Sequence, residues 1–127
     1  MITKKLADHV VKMSPTCGEI HEILRGEEFN PNIALAINIG PTTAHFHTGF
    51  DEIYLVLDGH LLLHTFDPAC GERSAVRLEP GELCVITRGI HHQVVEASPV
   101  NRLCVITTPR FHLDDEHIVP SLQQAGS

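Results

Sequence analysis

At 127 residues, with 43% hydrophobic and 20% charged residues, the chain has the size and composition of one globular domain and not of a disordered protein. Nine Lys and Arg against sixteen Asp and Glu give a net charge of −7, and the basic residues are dispersed from Lys4 to Arg110. The clustered positive charge that displaces counterions from nucleic acid is therefore missing, and nucleic acid is not an expected partner.

The first fifteen residues are expected to form an initial helix or arm. Asp8, His9 and Lys12 interrupt the apolar residues that follow Lys4 and Lys5, so the segment lacks the core of a signal peptide and a cytoplasmic address is expected. The longest central apolar run, Ile53 to Leu57, falls far short of the ~20 residues of a membrane helix. Cys17, Cys70, Cys84 and Cys104 include no CxxC pair and are expected to be reduced thiols.

From residue 19 onward, alternation with a period of two replaces helical periodicity. Strands are expected over residues 19–24, then over 32–39, where Ile33, Leu35, Ile37 and Ile39 would form the core face. Residues 53–57 and 60–66 flank Asp58-Gly59, a pair suited to a type I′ hairpin turn. Further short strands are expected at 75–78, 83–87, 93–97 and 103–107, punctuated by Pro80-Gly81 and Arg88-Gly89. Short strands at near-regular spacing with few helices predict an all-β sandwich or barrel. The barrel is expected to occupy about residues 17–110 of a single domain, with a flexible tail over 118–127.

The unusual feature of the composition is histidine, ten of them in a chain with no Trp and one Tyr. His45 and His47 are two apart, so on a strand both imidazoles leave one face, with Cα atoms ~6.8 Å apart, and can lean onto one ion. Glu52 follows after a turn-like Thr-Gly-Phe-Asp segment and can swing back as a third ligand. Beyond Gly89 come His91 and His92, of which only one can point inward because strand neighbours face opposite ways.

These residues resemble the cupin superfamily in two motifs. Gly40, four residues, His45-Phe46-His47, four residues, Glu52, six residues and Gly59 resemble the first motif, with the opening gap one residue short. Gly81, five residues, Thr87-Arg88-Gly89, two residues and His92 resemble the second, with Thr87 in place of the usual Pro and Glu96 in place of the usual Asn. The resemblance, which covers Gly40 to Glu96, implies a double-stranded β-helix (jelly-roll) barrel, a metal in its mouth, selection of His92 over His91, and a homodimer.

The expected site is thus one divalent transition metal on His45, His47, Glu52 and His92. Mixed nitrogen and oxygen donors suit Fe, Mn, Zn, Ni or Co and disfavour Ca or Mg. Tyr54 shares a strand face with Glu52 and is a candidate to contact a bound molecule. His60 and His64 are candidates to line the same cavity, against the commoner outcome of surface or satisfied core imidazoles. Cys84 falls near the site by sequence, and Arg88 and Arg102 are candidate anion contacts at the rim. His112 and His117 flank Asp114-Asp115-Glu116, read as a solvated acidic turn. A small-molecule metalloenzyme, either an oxygenase or a sugar or keto-enol isomerase, is the leading functional expectation. A noncatalytic small-molecule binding module is the alternative.

Overall fold

The computed structural model describes residues 1–5, 10–14, 18–109 and 111–123. Eleven strands are found among the described residues: β1 (Val10–Ser14), β2 (Gly18–Leu24), β3 (Asn32–Ile37), β4 (His45–Phe46), β5 (Asp51–Asp58), β6 (Leu61–Asp67), β7 (Glu72–Leu78), β8 (Leu83–Ile86), β9 (His91–Ala97), β10 (Arg102–Thr108) and β11 (His117–Ile118). They form a six-stranded sheet ordered β1-β2-β3-β10-β5-β8 and a five-stranded sheet ordered β11-β4-β9-β6-β7. All the pairings are antiparallel. From β3 onward the chain changes sheet at every connection except β6 to β7, which is the winding of a jelly-roll barrel.

The alternation of each strand turns one face inward. Val56 and Leu61 are fully buried, and Leu63, Val94 and Leu103 pack with them between the sheets. Burial of each such side chain stabilises the fold by about 1.5–3 kcal/mol.

Three expectations are corrected. Asp58-Gly59 does not close a hairpin, because β5 lies in the six-stranded sheet and β6 in the other. Gly59 has φ 76°, but Asp58 is not among the positive-φ residues, so a type I′ turn is excluded. The pair instead carries the chain across the barrel, held where Ser98 Oγ accepts from the His60 N–H at 2.9 Å. A two-residue turn signal reports the bend and not which strands pair.

Over the strand itself the core face of β3 is the opposite of the one expected, although Leu35 is buried at 8% and Ile39, just past the strand, joins the core as expected. Ala34 and Ala36 point inward at 3% and 1% exposure, while Ile33 and Ile37 are half-buried on the outer face. The inner face takes the smaller residues because the second sheet packs against it, whereas the larger ones share an outer face with Cys104 and Ile106 of β10. Within the N-terminal arm, Val10–Ser14 forms β1, paired with β2; Cys17 lies outside the described residues. Within the expected tail, Leu122 is buried, and its N–H donates to Gln93 Oε1 at 2.8 Å.

Candidate metal centre

His45 on β4 stands directly opposite His92 on β9 in the five-stranded sheet. Glu52 lies on β5 in the facing sheet, between Thr107 of β10 and Ile86 of β8. His47 follows β4, and its carbonyl accepts from the Gly89 N–H at 2.8 Å. The loops that carry the two sequence motifs are thereby fastened to each other. Gly89, at φ 85°, occupies the left-handed region that this close turn uses.

All four expected ligands converge, with His45, His47, Glu52 and His92 at 1–3% exposure. Each imidazole is fixed by its inner nitrogen: Nδ1 of His45 bonds Thr43 O at 2.8 Å, Nδ1 of His92 bonds Ile90 O at 3.0 Å, and Nδ1 of His47 bonds Asp115 O at 2.5 Å. A carbonyl only accepts, so Nδ1 carries the proton in each ring and Nε2 presents a lone pair. The three histidines offer ligand atoms that all lie within 4.8 Å of one another, and no Nε2 has a hydrogen-bond partner.

Glu52 faces these lone pairs, with Oε1 3.5 Å from His47 Nε2 and Oε2 3.2 Å from His92 Nε2. Bare imidazole nitrogens against a buried carboxylate repel unless positive charge enters between them. Withdrawing a carboxylate from water costs about several kcal/mol, which a proton or a cation at this point offsets. Without a metal, protons take that role. Burial alone would raise the Glu52 pKa, but His47 and His92 hold it well below the usual carboxylate range. Burial lowers and Glu52 raises the His47 pKa, with a net upward shift. Burial, with His92 as a like-charged neighbour, pushes His45 down to about 3. A donor set of three lone pairs and a carboxylate, mutually oriented and lacking other partners, fits a divalent transition metal.

The other candidates separate clearly. Tyr54 is buried on the same face as Glu52, its ring 6.1 Å from that of His92. Cys84 pairs with Tyr54 on that inner face, and burial pushes its thiol up to about 11. His64 pairs with Gln93 on the outer face of its sheet, and His60 sits in the crossover turn before β6, so neither lines the site. Arg88 and Arg102 are engaged by Asp51 and Asp58 respectively. Both are exposed, and neither lines the cavity beside the site.

That cavity, of about 360 Å³, is lined in part by Thr65, Asp67 and Glu72 from one sheet and Cys84, Ile86 and Thr87 from the other. Thr65 and Ile86 are ladder neighbours of His92 and Glu52. A larger cavity of about 630 Å³ under Met1 and Ile2 is lined by Ile23, Phe29 and Ile33, away from the histidines.

The acidic turn is also corrected. The Asp115 carboxylate accepts from the Thr48 N–H, the Gly49 N–H and the His117 Nε2–H, at 3.0, 2.7 and 2.9 Å. The sequence reading missed Asp115, and no spacing rule could have found it, because its link to His47 runs through a backbone carbonyl from 68 residues away.

No family model and no curated protein matches the sequence. Solved structures do match. A variant of Bacillus subtilis oxalate decarboxylase aligns with TM-score 0.73 and 15% identity over 93% of this chain and 32% of its own. The Staphylococcus aureus capsular polysaccharide assembling protein CapF aligns with TM-score 0.65 and 15% identity over 87% and 31%. A cupin-2 domain containing protein from Shewanella frigidimarina aligns with TM-score 0.51 and 23% identity over 61% and 69%. The chain spans about a third of the length of CapF and of the decarboxylase. These likenesses, with the two-sheet winding, establish that the chain has the jelly-roll barrel fold of these structures.

Proposed function

We propose that the protein is a metal-dependent enzyme acting on a small organic molecule, with one divalent transition metal held by His45, His47, Glu52 and His92. The observation that carries this reading is the set of three buried Nε2 lone pairs, each oriented by a carbonyl at Nδ1 and left without a hydrogen-bond partner, with the Glu52 carboxylate facing two of them. When bound, such an ion polarises an oxygen-bearing substrate as a Lewis acid, and iron adds oxygen chemistry. The reaction class proposed is that of an oxygenase or of a sugar or keto-enol isomerase.

The chain's own residues define the guest. A cavity of about 360 Å³ lies in the size range of small-molecule sites. Asp67 and Glu72 line it and, among the described residues lining it, there is no basic side chain. Neutral or cationic guests are therefore favoured over dianions such as oxalate. Burial pushes the Cys84 thiol up to about 11, which disfavours the thiolate that a nucleophilic cysteine uses. Thr65, Ser74 and Thr87 line the cavity and supply hydroxyls to hydrogen-bond a guest, whereas Tyr54 is not among the lining residues. Because no strong acid–base pair faces the cavity beyond its carboxylates, a noncatalytic small-molecule binding module is the second reading.

Metal analysis of protein purified without chelator is the first experiment, and a chain that neither retains nor binds a transition metal overturns the proposal. Oxygen uptake by the Fe(II) form with catechols or thiols assigns an oxygenase. Turnover without oxygen assigns an isomerase, and saturable binding without product assigns the module.

A homodimer is part of the same proposal. Leu83 and Val85 stand 56% and 59% exposed on the outer face of β8, the edge strand of the six-stranded sheet, where a second copy would cover them. A cytoplasmic address is supported by Cys70, Cys84 and Cys104, which are free thiols. No helix among the described residues is long and apolar enough to cross a membrane.

A further inference from the structure

The three imidazoles are not oriented in the same way. The carbonyls that hold His45 and His92 belong to Thr43 and Ile90, each two residues earlier in the chain, so those rings are aimed by their own loops. The ring of His47 is aimed by Asp115, from a segment on the far side of the sequence. That segment is itself tied down at several points. β11 adds to the edge of the five-stranded sheet with Ile118 opposite His45 and His117 opposite Phe46. The Val119 N–H donates to Ala44 O at 3.0 Å, and Glu116 accepts from Ser14 Oγ at 3.0 Å.

The Asp115 side chain closes the arrangement. Its carboxylate binds the backbone N–H groups of Thr48 and Gly49, the two residues directly after His47, and the Thr48 hydroxyl at 2.8 Å. Ring and backbone of the ligand loop are thus grasped by one residue: the carbonyl takes the imidazole proton while the carboxylate takes the amides that follow. A Cβ at Gly49 would lie 3.1 Å from Asp115 Oδ2, so glycine is what lets the carboxylate approach. His117 Nε2, on β11, fixes the outer side of the same carboxylate.

We propose that Asp115 is the positioning residue of the metal centre, and that the C-terminal segment from His112 to Leu122 is the strap that decides whether His47 is available as a ligand. With the strap seated, three imidazoles face Glu52. With it released, the carbonyl that fixes the His47 tautomer is withdrawn, while His45 and His92 keep theirs. Outer partners of ligating histidines are typically worth 10–100-fold in metal affinity. The strap rests on the metal-binding reading of these histidines, but the orientation it imposes is a property of the metal-free protein.

The test therefore has two arms. In metal-free protein, Asp115→Ala keeps the main-chain carbonyl but removes the carboxylate that seats it on the Thr48 and Gly49 amides, so imidazole ¹⁵N correlation spectra are expected to show a shifted Nδ1 signal at His47, with His45 and His92 unchanged. In Co(II) titrations, Asp115→Ala is expected to bind about 10-fold or more weakly, with altered visible absorption, and Asp115→Asn, which keeps one acceptor oxygen, to fall between it and the unaltered protein. Unchanged His47 spectra, or equal change at all three histidines, overturn the proposal. Because a fold collapse would register as change at all three, Gly49→Ala serves as a second variant, expected to displace the carboxylate and alter only His47. If Co(II) fails to bind the unaltered protein while the His47 spectra respond as stated, the metal reading fails and the strap stands.

Discussion

Glu52 Oε2 lies 3.2 Å from His92 Nε2, yet the two residues belong to different sheets, β5 in the six-stranded and β9 in the five-stranded one. A cation held between them is a clasp across the barrel. Metal that binds only the folded chain is expected to stabilise it by about 2.7 kcal/mol at a hundredfold excess over its dissociation constant. Thermal unfolding with Co(II) or Zn(II) and with chelator measures this, and Glu52→Gln is expected to shrink the difference. An identical melting temperature under both conditions would contradict the clasp.

The ligand assignment makes a sharp contrast among histidines. His92→Ala and His47→Ala are expected to abolish stoichiometric metal retention, read by elemental analysis after dialysis. His64→Ala, on the outer face, is expected to leave retention intact and stability within about 0.5 kcal/mol.

Acid stability of the metal-free protein follows from the directions of the shifts. His45 takes a proton near pH 6.5 when unfolded but near pH 3 when folded. Between those values the unfolded chain binds the extra proton, so stability falls on acidification by up to about 1.4 kcal/mol per pH unit. Asp115 adds to the acid limb: burial opposes its ionisation, but the Thr48 and Gly49 amides outweigh that and lower its pKa from 3.8 to about 2. Its contribution is present above pH 3.8 and lost as pH falls through about 2. His47 runs the other way, since its raised pKa contributes stability below pH 6.5 that is lost as pH rises through the folded value. Urea midpoints across pH are expected to show a shallower acid limb in His45→Gln and a shallower alkaline decline in His47→Gln.

Gly59→Ala tests the crossover turn. A Cβ there would lie 2.3 Å from Ser98 Oγ and 2.4 Å from Val100 O, at φ 76°. A loss of about 2 kcal/mol or more is expected from the denaturant midpoint.

Val85→Asp places a charge at a position that is 59% exposed on the outer face. Light scattering is expected to report a dimer for the unaltered chain and a monomer for this variant. A monomer in both would remove the dimer from the proposal.

Much of the site was legible in sequence because metal ligation demands particular side chains at particular spacings. His45, His47 and Glu52 were expected on those grounds and His92 on the resemblance to the second cupin motif, and the four do converge. The strap was not legible, because Asp115 acts on His47 through its main-chain carbonyl, and every residue type has one. The hairpin expected at Asp58-Gly59 failed for a related reason: a turn signal is local, and which strand lies beside β5 is decided by β10 and β8, from distant parts of the chain.

The pentapeptide Leu-Cys-Val-Ile-Thr, present at residues 83–87 and 103–107, marks the boundary between the two kinds of information. Its apolar and β-branched composition makes both copies strands, and both pair with β5, one on each side. Yet Leu103 pairs with Val56 and is 2% exposed, whereas Leu83 pairs with Leu55 and is 56% exposed. Cys84 accordingly faces the cavity and Cys104 the outer surface. The sequence by itself determined strand-forming segments and a candidate set of donor side chains, because propensity and donor chemistry belong to individual residues. The tertiary structure alone decided which face of each strand is inside, because side chains alternate with a period of two and a one-residue offset in pairing exchanges core for surface.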